Sequence, residues 1–267
     1  MCSAIMITVK CIAAYDFGTS GVKAALVSEE GKILAVQEKA YPLYKPQPLY
    51  VEQDPKDYWD AVCEVTRGVL ANSGAVPEDV KALSFSVQAV NIIPVDKDGN
   101  VLHNAISWLD GRAEKQAEEI NKRCGMELVR SQDHQSRLLW IKENRPDIYE
   151  KTAYFLDCNS FLQYKATGVM AVEHDHPGIA KKDPIIQAYI DATYADIDAA
   201  KLGPTVAACE KYAVLDEKGA SDLGLIEGTP VFGGMIDVTA ASAGCGCCKE
   251  GDAHIYLGSS GWMSALI

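Results

Sequence analysis

The chain has 267 residues, 48% of them apolar, enough for one large buried core or two small ones. Its formal charge of −12 repels nucleic-acid phosphates and anionic lipid head groups, so no nucleic-acid or membrane partner is expected and small neutral substrates fit better. No apolar run has the length needed to cross a bilayer, and the opening MCSAIMITVKCIAAYD lacks the order of a signal peptide, so a cytoplasmic location is expected.

Residues 5–16 alternate and then run apolar, and 22–28 and 32–40 continue as strands about a turn at Glu29-Glu30-Gly31-Lys32, giving a three-strand meander. In VEQDPKDYWDAVCEVTRGVLANSG, Asp54 before Pro55 is a helix cap. Tyr58, Val62, Val65 and Val69 then follow at helical spacing, predicting a helix over 55–73. Residues 80–86 read as a strand, IIPVDKDGNVLHNAIS as a hairpin pinned by Asp98-Gly99, and GRAEKQAEEINKRCG as an exposed helix closed by Gly125. From 126 to 228 the chain is helical and loop-rich, broken at Asn144-Arg145-Pro146. TPVFGGMID is a strand ending in a bend, VTAASAGCG a small-residue helix, and DAHIYLGSSGWMSALI a strand, a polar bend and a further strand.

The nine cysteines are scattered, and Cys11, Cys63, Cys158 and Cys209 lie in apolar segments, as reduced packing thiols do. Cys245, Cys247 and Cys248 read as a helix end, because C-x-C-C lacks the second pair of a structural zinc site. His174-Asp175-His176 has no third ligand in view and reads as a polar loop. Two bends carry more meaning: Gly18-Thr19-Ser20-Gly21 and Gly258-Ser259-Ser260-Gly261 each join strand to strand with two hydroxyls. One such bend is either a plain turn or a concave set of N–H groups able to hold phosphate oxygens. Two of them, with an Asp-ended glycine strand between, point to two loops facing one anion.

Six segments in order resemble the FGGY family of carbohydrate kinases, within it the xylulokinase-like members. They are YDFGTSGVKAALV, VEQDPKDYW, SFSVQAVNIIPVDKDGNVLHNAISWLDGRA, LDCNSFLQYKATG, LGLIEGTPVFGGMIDVTAASAGCG and KEGDAHIYLGSSG. The resemblance implies an α/β fold over 1–267: a ribonuclease-H-like (actin/hexokinase-type) domain, a mixed sheet flanked by helices, forming the amino-terminal half that holds sugar and catalytic base. The carboxy-terminal nucleotide domain is then absent from this chain, which is expected to bind sugar weakly and phosphorylate it poorly or not at all. ATP, Mg²⁺ and a small-molecule sugar or polyol are implied as ligands, and a homodimer is left open.

Phosphoryl transfer to a hydroxyl needs positioning, charge neutralisation and a base. By the resemblance Asp237, at the tip of PVFGGMI, accepts the hydroxyl proton; by itself the residue also reads as a helix N-cap. Asp16 helps hold Mg²⁺ through water, or simply starts a turn. Gly18, Thr19, Ser20, Ser259 and Ser260 offer donors to phosphate, with Lys23 as a nearby cation or a plain solvated charge. Gln88, Trp108, Asp110 and Arg112 fall where the family builds the sugar side of its cleft, although Trp108 also reads as core and Arg112 as a surface charge. Ala89-Val90 replace the family's Met-His, and Val238 replaces the Asn common after the catalytic Asp. With two polar contacts gone, a polyol, ketose or modified sugar other than D-xylulose fits. The competing reading is a non-catalytic sugar sensor or scaffold that kept the fold; an actin-like assembly module leaves the W-x-D-x-R segment without purpose.

Overall fold

Alternation along β1 (Cys11–Phe17) turns Cys11, Ala13, Tyr15 and Phe17 inward and leaves Ile12 and Asp16 exposed. The computed structural model describes residues 10–173, 184–257 and 261–266; the start of the first expected strand and His174-Asp175-His176 lie outside them. Strands β2 (Gly21–Ser28) and β3 (Ile33–Ala40) complete the antiparallel meander with β1. A short β4 (Glu52–Gln53) leads into α1 (Pro55–Ser73). Asp54 caps this helix by accepting from the Lys56 N–H at 2.8 Å, and Gly74 ends it in the left-handed conformation. Its face of Tyr58, Val62, Val65 and Val69 is fully buried against β2 and β3. The chain then returns as β5 (Val80–Val87), parallel to β1.

The segment expected to be a hairpin does fold back antiparallel around its turn, through isolated bridges from Val95 to Val101 and from Ile92 to Ile106 and a bond from Leu102 N–H to Pro94 O at 2.9 Å. It carries β6 (Ile93–Val95) and β7 (Ala105–Ile106), whose further partners lie elsewhere: β7 pairs with β4, and β6 with the later β8 (Tyr154–Leu156). Between β7 and β8 come α2 (Glu114–Cys124), α3 (His134–Asn144) and α4 (Pro146–Lys151), the last two separated at the Arg145-Pro146 break. α2 ends at left-handed Gly125 but is not wholly exposed, because Gln116, Ala117 and Ile120 are buried. Ile120 joins Ile92, Ile106, Leu138, Ile141 and Phe155 in a second apolar cluster, apart from the one behind the sheet.

After α5 (Cys158–Thr167) come β9 (Val172–Glu173), α6 (Pro184–Thr193), β10 (Thr205–Val206), β11 (Lys211–Val214) and α7 (Glu217–Leu223). Cys209, expected in the core, is exposed in the turn closed by Glu210 N–H to Ala207 O. The expected glycine strand is two strands, β12 (Pro230–Phe232) and β13 (Met235–Ile236), both parallel to β5 and broken at Gly233-Gly234. Helix α8 (Asp237–Gly244) follows, and Cys245 is its C-cap, so that cysteine group does sit at a helix end. Strands β14 (Ala253–Leu257) and β15 (Gly261–Ala265) form a separate hairpin. The central sheet runs β11-β12-β5-β1-β2-β3, with β13 also on β5, a mixed sheet backed by α1, α5 and α7.

Candidate active site at the carboxyl ends of the central strands

β1, β5 and β13 are parallel, with Asp16 and Met235 both in register with Ser86, and Phe17 and Ile236 both with Val87. Their carboxyl ends therefore open side by side, where ligands gather on α/β sheets. The bend after β1 has its carbonyls tied back. Gly18 O accepts from the Tyr41 hydroxyl, Thr19 O from Gln53 Nε2 (2.9 Å), Ser20 O from Tyr41 N–H (3.2 Å) and Gly21 O from Gly18 N–H (3.0 Å). Among the described residues no acceptor meets the N–H groups of Thr19 and Ser20, which suits a concave anion site. A Cβ on Gly21 would stand 2.6 Å from the Lys39 carbonyl, so only glycine lets the bend close. Asp16 and Lys23 are direct cross-strand partners, both exposed.

Asp237 opens α8 beyond the tip of β13. The cap position belongs to Ile236, and the Asp237 carboxylate accepts from Val238 N–H at 2.9 Å. Its carboxyl is held above the usual carboxylate range, first by partial loss of hydration and then by the negative charge of Asp16. The two acids thus share one field while Asp237 itself stays exposed. The glycine bend behind it is anchored from α5: Asn159 Nδ2 donates to Gly233 O at 2.6 Å, and Gln163 Nε2 to Phe232 O at 3.0 Å. Gly234 has φ +71°, and a Cβ there would collide with the Phe85 carbonyl. Ser259 and Ser260 lie outside the described residues.

The sugar-side residues divide. Trp108 is half-buried and donates from its indole Nε1 to Thr19 Oγ1 at 2.9 Å, so it reaches the phosphate bend itself. Gln88 is turned inward: Nε2 donates to Gln53 Oε1 at 3.2 Å and Oε1 is buried without a partner. Asp110 and Arg112, expected on the sugar side, are buried in a closed ion-pair network. Asp110 is 0% exposed, and its oxygens accept from Val51 N–H (2.5 Å), Arg112 N–H (3.0 Å) and the Arg112 guanidinium (2.8 Å). Arg112 also pairs with Glu52 at 2.7 Å and lies over the rings of Tyr50 and Trp140.

Three buried residues complete the site without having been singled out in the sequence. Gln53 accepts from the Tyr58 hydroxyl at 2.8 Å and Asn91 Oδ1 accepts from Trp108 N–H at 2.9 Å. Arg137, 0% exposed, donates to the carbonyls of Ile106 (3.1 Å), Ser107 (2.6 Å) and Val90. Burial lowers its pKa to about 10, which still leaves it charged at neutral pH. The Val90 it grips has φ +50°, a rare conformation for a β-branched residue, and is exposed. The available signals were the Gln of EQDP and a lone Arg beside Leu138-Leu139.

The family model described as the FGGY family of carbohydrate kinases, N-terminal domain, matches residues 11–244. A xylulose kinase of Bacillus subtilis is 29% identical over 262 residues, covering 94% of this chain and 52% of the relative. A human FGGY carbohydrate kinase domain-containing protein is 30% identical over 257 residues, covering 86% of this chain and 46% of the relative. The chain spans about half the length of these curated relatives. Among solved structures, xylulose kinase from Rhodospirillum rubrum overlays with TM-score 0.84 at 21% identity, over 95% of this chain and 55% of that one. Plasmodium falciparum glycerol kinase overlays at 0.78 and 20%, over 96% and 54%. These likenesses establish the sugar-kinase fold.

Proposed function

The chain belongs to the FGGY family of carbohydrate kinases through that family's N-terminal domain, and from this premise we propose that it forms the sugar-side half of an ATP-dependent kinase with Asp237 as general base. The observation that carries the proposal is the register of β1 and β13 on β5, which brings Asp16, the 18–21 bend and Asp237 to the same end of the sheet. A carboxylate raised toward neutrality is a better proton acceptor from a sugar hydroxyl. The bend's N–H groups, the Thr19 and Ser20 hydroxyls and Lys23 supply positive potential to a transferring phosphoryl group. Among the described residues no three His, Cys, Asp or Glu side chains gather as a ready cage, whereas Asp16 is open to water on its exposed side. That donor set suits Mg²⁺, which keeps most of its waters and takes one or two carboxylates plus phosphate oxygens. Held there, Mg²⁺ would neutralise phosphate charge. No helix among the described residues is long and apolar enough to cross a membrane, and we place the protein in the cytoplasm.

The second reading, a non-catalytic sugar sensor, draws on the inward turn of Gln88 and the closed Asp110–Arg112 pair, which leave few polar groups for sugar. Two measurements test them. A thermal-shift screen of pentoses, hexoses and polyols on this chain should find a ligand that raises the melting temperature; none doing so removes both readings. In a full-length polypeptide containing this chain, Asp237→Asn should cut phosphorylation by about 10²–10⁴-fold while sugar still binds. Unchanged turnover removes Asp237 as base.

A further inference from the structure

Trp108, expected on the sugar side, and Thr19, in the expected phosphate bend, are hydrogen-bonded at 2.9 Å. An indole N–H can only donate, so Thr19 Oγ1 must be the acceptor in this bond. The Thr19 hydroxyl proton is therefore free to point elsewhere, and the carbonyl of the same residue is already occupied by Gln53. Accepting one hydrogen bond polarises a hydroxyl and strengthens it as a donor in the next. The neighbouring N–H groups of Thr19 and Ser20 are donors too, so the bend becomes a set of donors with its acceptors turned away. Gln53 reaches Gln88 with its other end, so both links to Thr19 come from the sugar side.

We propose that Trp108 is a positioning residue of the phosphate bend, its indole N–H fixing the Thr19 hydroxyl as a donor to a phosphate oxygen. This rests on the phosphoryl-transfer reading above. It gives Trp108 a task separate from lining a sugar pocket, since a ring can line a pocket without its N–H.

The test uses this chain, labelled with ¹⁵N, and inorganic phosphate as the probe. Trp108→Phe keeps an aromatic ring and removes the N–H; it also identifies the Trp108 indole signal among the four tryptophans. Thr19→Val removes the hydroxyl at similar volume, and Thr19→Ser retains it. The indole resonance should shift and exchange faster with water in Thr19→Val, and keep its wild-type behaviour in Thr19→Ser. Phosphate should bind about tenfold more weakly to Trp108→Phe and to Thr19→Val than to wild type, with Thr19→Ser restoring affinity. An indole signal indifferent to Thr19→Val overturns the proposal, as does equal phosphate affinity in wild type and Trp108→Phe. No response to phosphate in the wild-type chain overturns this proposal and the phosphoryl-transfer reading together, whereas equal affinity overturns this proposal alone.

Discussion

At Asp237 the raised carboxyl has two causes of unequal rank, and they can be separated. Loss of hydration comes first and persists whatever the neighbours; the Asp16 charge comes second and disappears in Asp16→Asn. A carboxyl raised by a like charge relaxes downward when that charge is removed. The midpoint of Asp237 followed by ¹³C NMR should therefore fall in Asp16→Asn. In the proposed role Asp237 accepts a proton only when ionised, so a raised carboxyl would move the acid limb of the rate profile upward. An unchanged midpoint would show that the two acids do not share a field. Asp110 and Arg112 teach the opposite lesson: their motif is legible in the sequence, but whether a charged group faces ligand or protein depends on partners such as Val51 and Glu52, which no local pattern brings together.

Among elements, α1 was readable to the residue because everything that defines it is local: Asp54 at the cap, proline in the first turn, a four-residue apolar rhythm and Gly74 after the end. Its cap bond is exposed and independent of the site, so Asp54→Ala should lower stability by about 1 kcal/mol in urea unfolding. A loss near zero would mean the proline and the packed face hold the helix alone. The 92–107 hairpin was legible through its turn, with Gly99 at φ +79°, but its irregular pairing was not, because β4 and β8, distant in sequence, also pair with its strands. The glycines of PVFGGMI were visible; that they break the strand was not, because the obstruction comes from the Ala207 and Phe85 carbonyls.

For the molecule as a whole, the two apolar clusters divide the labour. The one behind the sheet supports β1, β5 and, through α5, the glycine bend before Asp237, and takes in Ile93, Val95 and Ala105; the other takes in Ile92 and Ile106 of the same segment, beside Arg137, which donates to the Ile106 and Ser107 carbonyls. Beyond the matched 11–244 segment, β14 and β15 pair with each other and expose Ile255, Leu257 and Met263, Leu257 at 86%. A lone two-stranded ribbon with bare apolar side chains invites association. Leu257→Ser with Met263→Ser should reduce concentration-dependent association in sedimentation velocity without altering the main unfolding transition; equal association would place the contact elsewhere. The shared footing of residues 88–112 has a practical corollary for redesign. A cassette exchanged there has to keep Ile93, Val95 and Ala105 for the cluster behind the sheet, Gln88 for its bond to Gln53, and an indole N–H for Thr19, because the segment meets the bend at more than one joint.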